Sequence, residues 1–133
     1  MIVGFGIDIM STARIGKAIE RHGAGFLGRV YTDHEREFAD RKLVGSVQVY
    51  AAFWAVKEAV MKALGTGMRQ GVFFRDIEVR HERSGKPYVR LSGASKEHAE
   101  RLGADSIVVS MSHLEDMVVA AAVLEKTGER NRA

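Results

Sequence analysis

Cysteine is absent from this chain of 133 residues, which excludes a disulfide framework and any zinc site built on thiolates, and leaves nothing that argues for an oxidising compartment. Proline occurs once, too rarely for a collagen-like or proline-rich disordered chain. Long apolar runs are missing as well. The stretch from Met117 to Leu124 is far too short to span a bilayer as a helix, and Met1 to Asp8 lacks the basic start and long apolar core of a signal peptide. A cytoplasmic protein is therefore expected. Charge of one sign is also scarce: 20 Lys and Arg against 17 Asp and Glu leave a net charge of +3, which permits an acidic partner without demanding nucleic acid. What remains is an ordinary globular composition, 46% hydrophobic and 28% charged. A single domain over residues 1–126 is expected, with the polar end 127–133 as a frayed tail.

The opening Ile2-Val3-Gly4-Phe5-Gly6-Ile7-Asp8-Ile9 reads as a buried strand approached closely by other backbone at its glycines, with Asp8 near its end. Ser11 or Thr12 caps a helix to about Arg21, which Gly23 and Gly25 stop. Thr32-Asp33-His34-Glu35 resembles a capping box before a short helix to about Arg41. The longest helical signal runs from Val47 to Leu64, where Val49, Ala52, Phe53, Val56, Val60, Ala63 and Leu64 recur at helical spacing. Tyr50, Trp54 and Met61 place bulky groups on its other side, so this helix is either central or covered by another subunit. Asp76 to His81 and Pro87 to Leu91 form a predicted hairpin, and a helix capped by Ser92 or Ser95 reaches about Leu102. Ser106 to Ser112 and Met117 to Leu124 form a second pair of strands. The order predicts an α+β fold, an antiparallel sheet packed against a long central helix and shorter helices.

Glu58 and Lys62 stand one turn apart on the long helix, beside Trp54 and Met61. An exposed ion pair is the bland account, but two such bulky neighbours place the charged pair in a cleft. Asp8, at a strand end, serves either as a turn residue or as a ligand to a hard cation. Asp8 and Glu58 together supply two oxygens, the number that Mg²⁺ commonly takes from protein while phosphates and water complete its octahedron. Lys62 beside them suits a phosphate, and the set points to phosphoryl chemistry. Gly65-Thr66-Gly67 follows a helix rather than preceding one, so it ends that helix and is no dinucleotide fingerprint. His113, closing Ser110-Met111-Ser112-His113, reads first as a structural residue.

Gly6-Ile7-Asp8, the run Trp54-Ala55-Val56-Lys57-Glu58-Ala59-Val60-Met61-Lys62-Ala63-Leu64-Gly65-Thr66-Gly67, and Ser110-Met111-Ser112-His113 occur in this order. With Phe26 to Thr32 and Gly85-Lys86-Pro87, they cover about residues 1 to 125. This chain resembles the bacterial holo-acyl-carrier-protein synthases, the small trimeric branch of the 4′-phosphopantetheinyl transferases. The resemblance implies transfer of 4′-phosphopantetheine from coenzyme A to a serine of apo acyl carrier protein, with release of adenosine 3′,5′-bisphosphate. It implies Asp8 and Glu58 as Mg²⁺ ligands, Lys62 as the cation offsetting charge on the leaving phosphate, and Glu58 as the first candidate for the base that takes the serine proton. His113 and the Gly65 backbone are implied as contacts to the coenzyme. A homotrimer with sites between subunits is implied as well, and would cover the second apolar side of the long helix.

Arg14, Lys17 and Arg21 form a basic stripe suited to an acidic carrier protein. The residue before Trp54 departs from the family pattern: Phe53 stands where relatives often carry an arginine that meets the 3′-phosphate, and Arg69 is the candidate to compensate. Two other classes stay open, a Mg²⁺-dependent nucleotide hydrolase and a small nucleic-acid-binding module. The mixed charges and core-like aromatics argue against the second, and neither nucleic acid nor a membrane is expected as a partner.

Overall fold

The computed structural model describes residues 1–128. Strand β1 (Ile2–Ser11) leads into α1 (Thr12–Val30), α2 (Asp33–Asp40) and the long α3 (Ser46–Leu64). A 3-10 turn (Phe74–Asp76) precedes β2 (Ile77–His81) and β3 (Pro87–Leu91), and α4 (Gly93–Arg101), β4 (Ser106–His113) and β5 (Met117–Glu125) complete the chain. The expected α+β architecture holds. It contains two antiparallel sheets, β1-β5-β4 and β2-β3, around α3.

Small residues bring β1 and α3 together. A Cβ at Gly4 would meet the carbonyl oxygen of Ala63, and one at Gly6 that of Ala59. Glycine on the strand opposite alanine on the helix thus allows backbone to approach backbone. Strand alternation then turns Asp8 and Met10 to the same helix-facing side. Across the sheet, Asp8 is in register with Ala120 and Met10 with Val118, and both partners are fully buried.

Two sequence expectations are corrected. Helix α1 does not stop at Gly23: the backbone breaks there (φ 49°, ψ −128°) and the helix resumes to Val30. Phe26 and Val30, one turn apart, are buried beyond the break, and their packing outweighs the tendency of glycine to end a helix. Nor does α3 need a second subunit to cover it. Its far side is filled by the protomer itself, with Phe53 against Phe38 and His81 and with Lys57 bonded to the segment 74–77. Apolar side chains lie exposed instead on the outer face of the larger sheet, where Phe5 is 60%, Ile7 54% and Ile9 59% accessible.

The capping box at Thr32 and Glu35 is present as expected. Ser92 rather than Ser95 occupies the α4 N-cap, and Ser95, inside the helix, donates to the Ser92 carbonyl at 2.7 Å. Thr127 donates from its backbone to Asp105 at 2.9 Å, so the chain is still tied down there. Residues 129–133, the rest of the expected tail, lie outside the described residues. Among the described residues no helix is long and apolar enough to cross a membrane.

Candidate active site

Asp8 and Lys62 meet across the β1–α3 contact. The Lys62 ammonium donates to Asp8 Oδ1 at 3.1 Å and to the Ile7 carbonyl at 3.0 Å. Asp8 Oδ2 is buried and has no hydrogen-bond partner. Glu58, one turn before Lys62, is half-buried, and its carboxyl is pushed above the usual range by burial first and by the Asp8 charge second, with Lys62 opposing. Asp8, Glu58 and Lys62 therefore form one electrostatic unit, in which helical spacing predicts only the nearness of Glu58 to Lys62 and the β1–α3 packing adds Asp8. Lys62 forms its ion pair with Asp8 on the strand, and Glu58 on its own helix acts on it at longer range.

Gly65 lies at the end of the same helix with φ 79°, and its N–H donates to the Lys62 carbonyl at 3.0 Å. Arg69 is exposed in the turn beyond and donates from its backbone to Thr66. Phe53 is 2% accessible and belongs to the core. Phe53 lies near the middle of α3, twelve residues before Gly65 and so about 18 Å of rise from the turn that carries Arg69. His113 is exposed at the β4 edge, in register with Val118 and, beyond it, Met10. Two strand spacings put it about 10 Å from β1, so the protomer does not bring it to the carboxylates.

A groove of about 610 Å³ opens next to this unit, between α1 and the segment 68–74. Met10 and Trp54 line it, the first two residues past Asp8 on the strand and the second one helical turn before Glu58. Trp54 stacks on Phe74 with ring centroids 4.4 Å apart and meets Phe26 edge-on. Met61, expected beside it, is fully buried instead. Arg14 lies at the groove, whereas Lys17 and Arg21 are exposed elsewhere on α1. Arg29 and His22 also line it; sequence reasoning missed Arg29 because the assumed stop at Gly23 cut the helix that presents it, and His22, just before that stop, was given no functional role.

A second feature was invisible in the pattern. Lys57 and Glu35 form an ion pair at 2.8 Å with both side chains fully buried. The Lys57 ammonium also donates to the Phe74 and Ile77 carbonyls, and Glu35 accepts from the N–H groups of Thr32 and Val79. Burial holds the lysine below its ordinary range, and Glu35 opposes that shift. The pair fastens α2, α3 and β2 to the segment carrying Phe73 and Phe74, which forms one wall of the groove. The Glu35 of a capping box reads from sequence only as a helix start.

The arrangement is thus a pair of carboxylates and an ammonium on β1 and α3, the two elements that also send Met10 and Trp54 into an apolar groove lined in part by Arg14 and Arg29. Residues 4–122 match the family model of the 4′-phosphopantetheinyl transferase superfamily. The chain belongs to that superfamily, and is an enzyme of the transferase class. Within it, the similarity is to holo-[acyl-carrier-protein] synthases. The protein of that name from Solibacter usitatus is 43% identical over 125 residues, covering 94% of this chain and 99% of its own. The crystal structure of the Neisseria meningitidis synthase has a TM-score of 0.86 and 38% identity, over 95% of this chain and 100% of its own. The Bacillus anthracis synthase, solved in complex with CoA (3′,5′-ADP), has a TM-score of 0.79 and 37% identity, over 96% and 99%.

Proposed function

We propose that this enzyme transfers the 4′-phosphopantetheine arm of coenzyme A to a serine of apo acyl carrier protein in a Mg²⁺-dependent reaction, releasing adenosine 3′,5′-bisphosphate. The observation that carries the reading is Asp8 Oδ2, a buried carboxylate oxygen with no partner, beside Glu58 and Lys62. Among the described residues no cluster of three or more His, Cys, Asp or Glu forms. Two carboxylates fit magnesium, which commonly keeps waters and phosphates in the rest of its shell. Asp8 and Glu58 would hold the ion, which when bound neutralises charge on the diphosphate.

Lys62 offsets the charge that builds on the leaving phosphate. Glu58, its proton affinity raised by burial and by Asp8, accepts the proton of the attacking serine directly or through water. The Gly65 backbone, Arg69 and His113 contact the coenzyme. Because His113 lies away from the carboxylates of its own protomer, the reading is of a site shared between subunits. The exposed apolar face of Phe5, Ile7 and Ile9 is the surface we assign to a homotrimer.

Arg14, with Arg29 and His22, positions the acidic carrier over the groove, and Lys17 and Arg21 steer it. This reading carries with it a cytoplasmic enzyme of fatty acid biosynthesis. Intact mass spectrometry of an apo carrier protein incubated with the enzyme, coenzyme A and Mg²⁺ tests it. A gain of one phosphopantetheine on the carrier is expected. Free 4′-phosphopantetheine with an unmodified carrier would show a hydrolase instead.

A further inference from the structure

Lys62 bonds to the residue that would hold the metal. Its ammonium sits 3.1 Å from Asp8 Oδ1 and 3.0 Å from the Ile7 carbonyl, and so occupies one side of the carboxylate while Oδ2 has no partner. The two partners differ in freedom. The Asp8 side chain is 13% accessible and is fixed on a strand packed against α3, whereas Lys62 is 51% accessible. The lysine is therefore able to withdraw into solvent without unpacking anything, and Asp8 is not. A divalent cation on Asp8 and Glu58 would stand within a few ångströms of this ammonium, and like charges at that range repel.

We propose that Lys62 is a resident counter-cation: in the ligand-free enzyme it holds the Asp8 carboxylate, competes with the metal ion for it, and releases it when the phosphates of the donor take up the ammonium. The proposal rests on the magnesium reading given above. Lys62 thereby acquires a role before chemistry in addition to its role during it. It keeps a buried carboxylate compensated while no substrate is present, and it makes metal and phosphate donor bind with positive coupling, because the donor removes the competitor of the metal.

The test is a titration of the full chain with Mn²⁺ as the probe, without coenzyme, following free Mn²⁺ by electron paramagnetic resonance, with Mg²⁺ displacing it. Lys62→Met and Lys62→Gln, which keep the bulk of the side chain and lose its charge, are expected to bind the ion roughly two- to fivefold more tightly than wild type, the range set by a partly exposed ion pair. Lys62→Arg is expected to bind as wild type. Lys96→Gln, which removes an exposed charge on α4 away from Asp8, is expected to change affinity less than twofold. Asp8→Asn is expected to lose the site. If the ion binds through Asp8 and both neutral Lys62 variants match wild type or bind more weakly, the competition is overturned and the metal reading stands. If neither wild type nor any variant shows Asp8-dependent binding, both are overturned.

Discussion

Replacing Gly6 with alanine tests the contact on which the site is built. The added Cβ would collide with the Ala59 carbonyl oxygen and lie 2.8 Å from the Ala63 nitrogen and 2.9 Å from the Ala59 carbonyl carbon. All three are backbone atoms of α3, so no side chain is available to swing aside. Ordinary contact near 3.5 Å is regained only if β1 and α3 part by more than about 1 Å. Overpacking of this kind costs about 1 to 3 kcal/mol, and a rigid obstacle places Gly6→Ala at the upper end, about 3 kcal/mol. For a chain of this size that lowers Tm by roughly 10 °C. Activity suffers separately, because Asp8 moves with the strand while Glu58 and Lys62 stay on the helix, and a misplacement of about 1 Å costs on the order of 10²-fold in rate. Urea unfolding followed by circular dichroism gives the first quantity, and the transfer rate at a temperature where the variant is folded gives the second. Gly25→Ala serves as the contrast: nothing lies within 4 Å of its Cβ, so α1 should be unchanged or gain about 0.5 to 1 kcal/mol. A Gly6→Ala protein within about 1 kcal/mol of wild type would refute the close-approach argument.

His81 stacks flat on Phe38 at 4.3 Å with Nδ1 buried and unpaired, and burial first, then His34 and Lys42, hold it below the ordinary histidine value. Above about pH 6.5 it is neutral in both states. As pH falls below that, the unfolded chain takes up a proton that the folded chain refuses, so stability drops and levels off only below the folded value. His81→Phe should remove that part of the acid sensitivity, and equal losses between pH 7 and 5 in both proteins would exclude it. Arg14→Glu combined with Arg29→Glu should raise KM for the carrier protein by an order of magnitude or so and leave KM for coenzyme A nearly unchanged, with high salt imitating the double variant. An unaltered carrier KM would remove the rim arginines from docking. Ile7→Glu, on the open face of the sheet, should convert the proposed trimer to monomers by light scattering; a wild-type protein already monomeric at assay concentration would dispose of that interface.

The elements carrying strong local signals were legible in the sequence. Gly4 and Gly6 on one strand announced the close packing, and Glu58 and Lys62 one turn apart on a long apolar helix announced the charged pair, but that Asp8 joins them is shown only by the fold. Periodicity was less informative where the partner of a face lies far away in sequence. It showed that α3 is apolar nearly all round, but the groups that cover its second side come from α2, the segment 74–77 and β2, so cover by another subunit was a natural expectation. Gly23 was read by its local propensity, which the packing of Phe26 and Val30 overrides. Lys57 looked like one more charge beside Glu58; only the three-dimensional meeting with Glu35 shows it to be wholly buried. The groove was missed for the same reason, since Arg14, Arg29 and Trp54 belong to elements that only the fold brings together.

The central claim is that Asp8 and Glu58 are the working carboxylates of a phosphopantetheine transfer. Its most direct test is the rate of holo-carrier formation by Asp8→Asn and Glu58→Gln, measured by mass spectrometry at saturating coenzyme A and Mg²⁺ on proteins whose circular dichroism matches wild type. Each variant removes one charge with almost no change in shape. The account predicts that each rate falls by at least about 10²-fold. Near-normal turnover in both would contradict it.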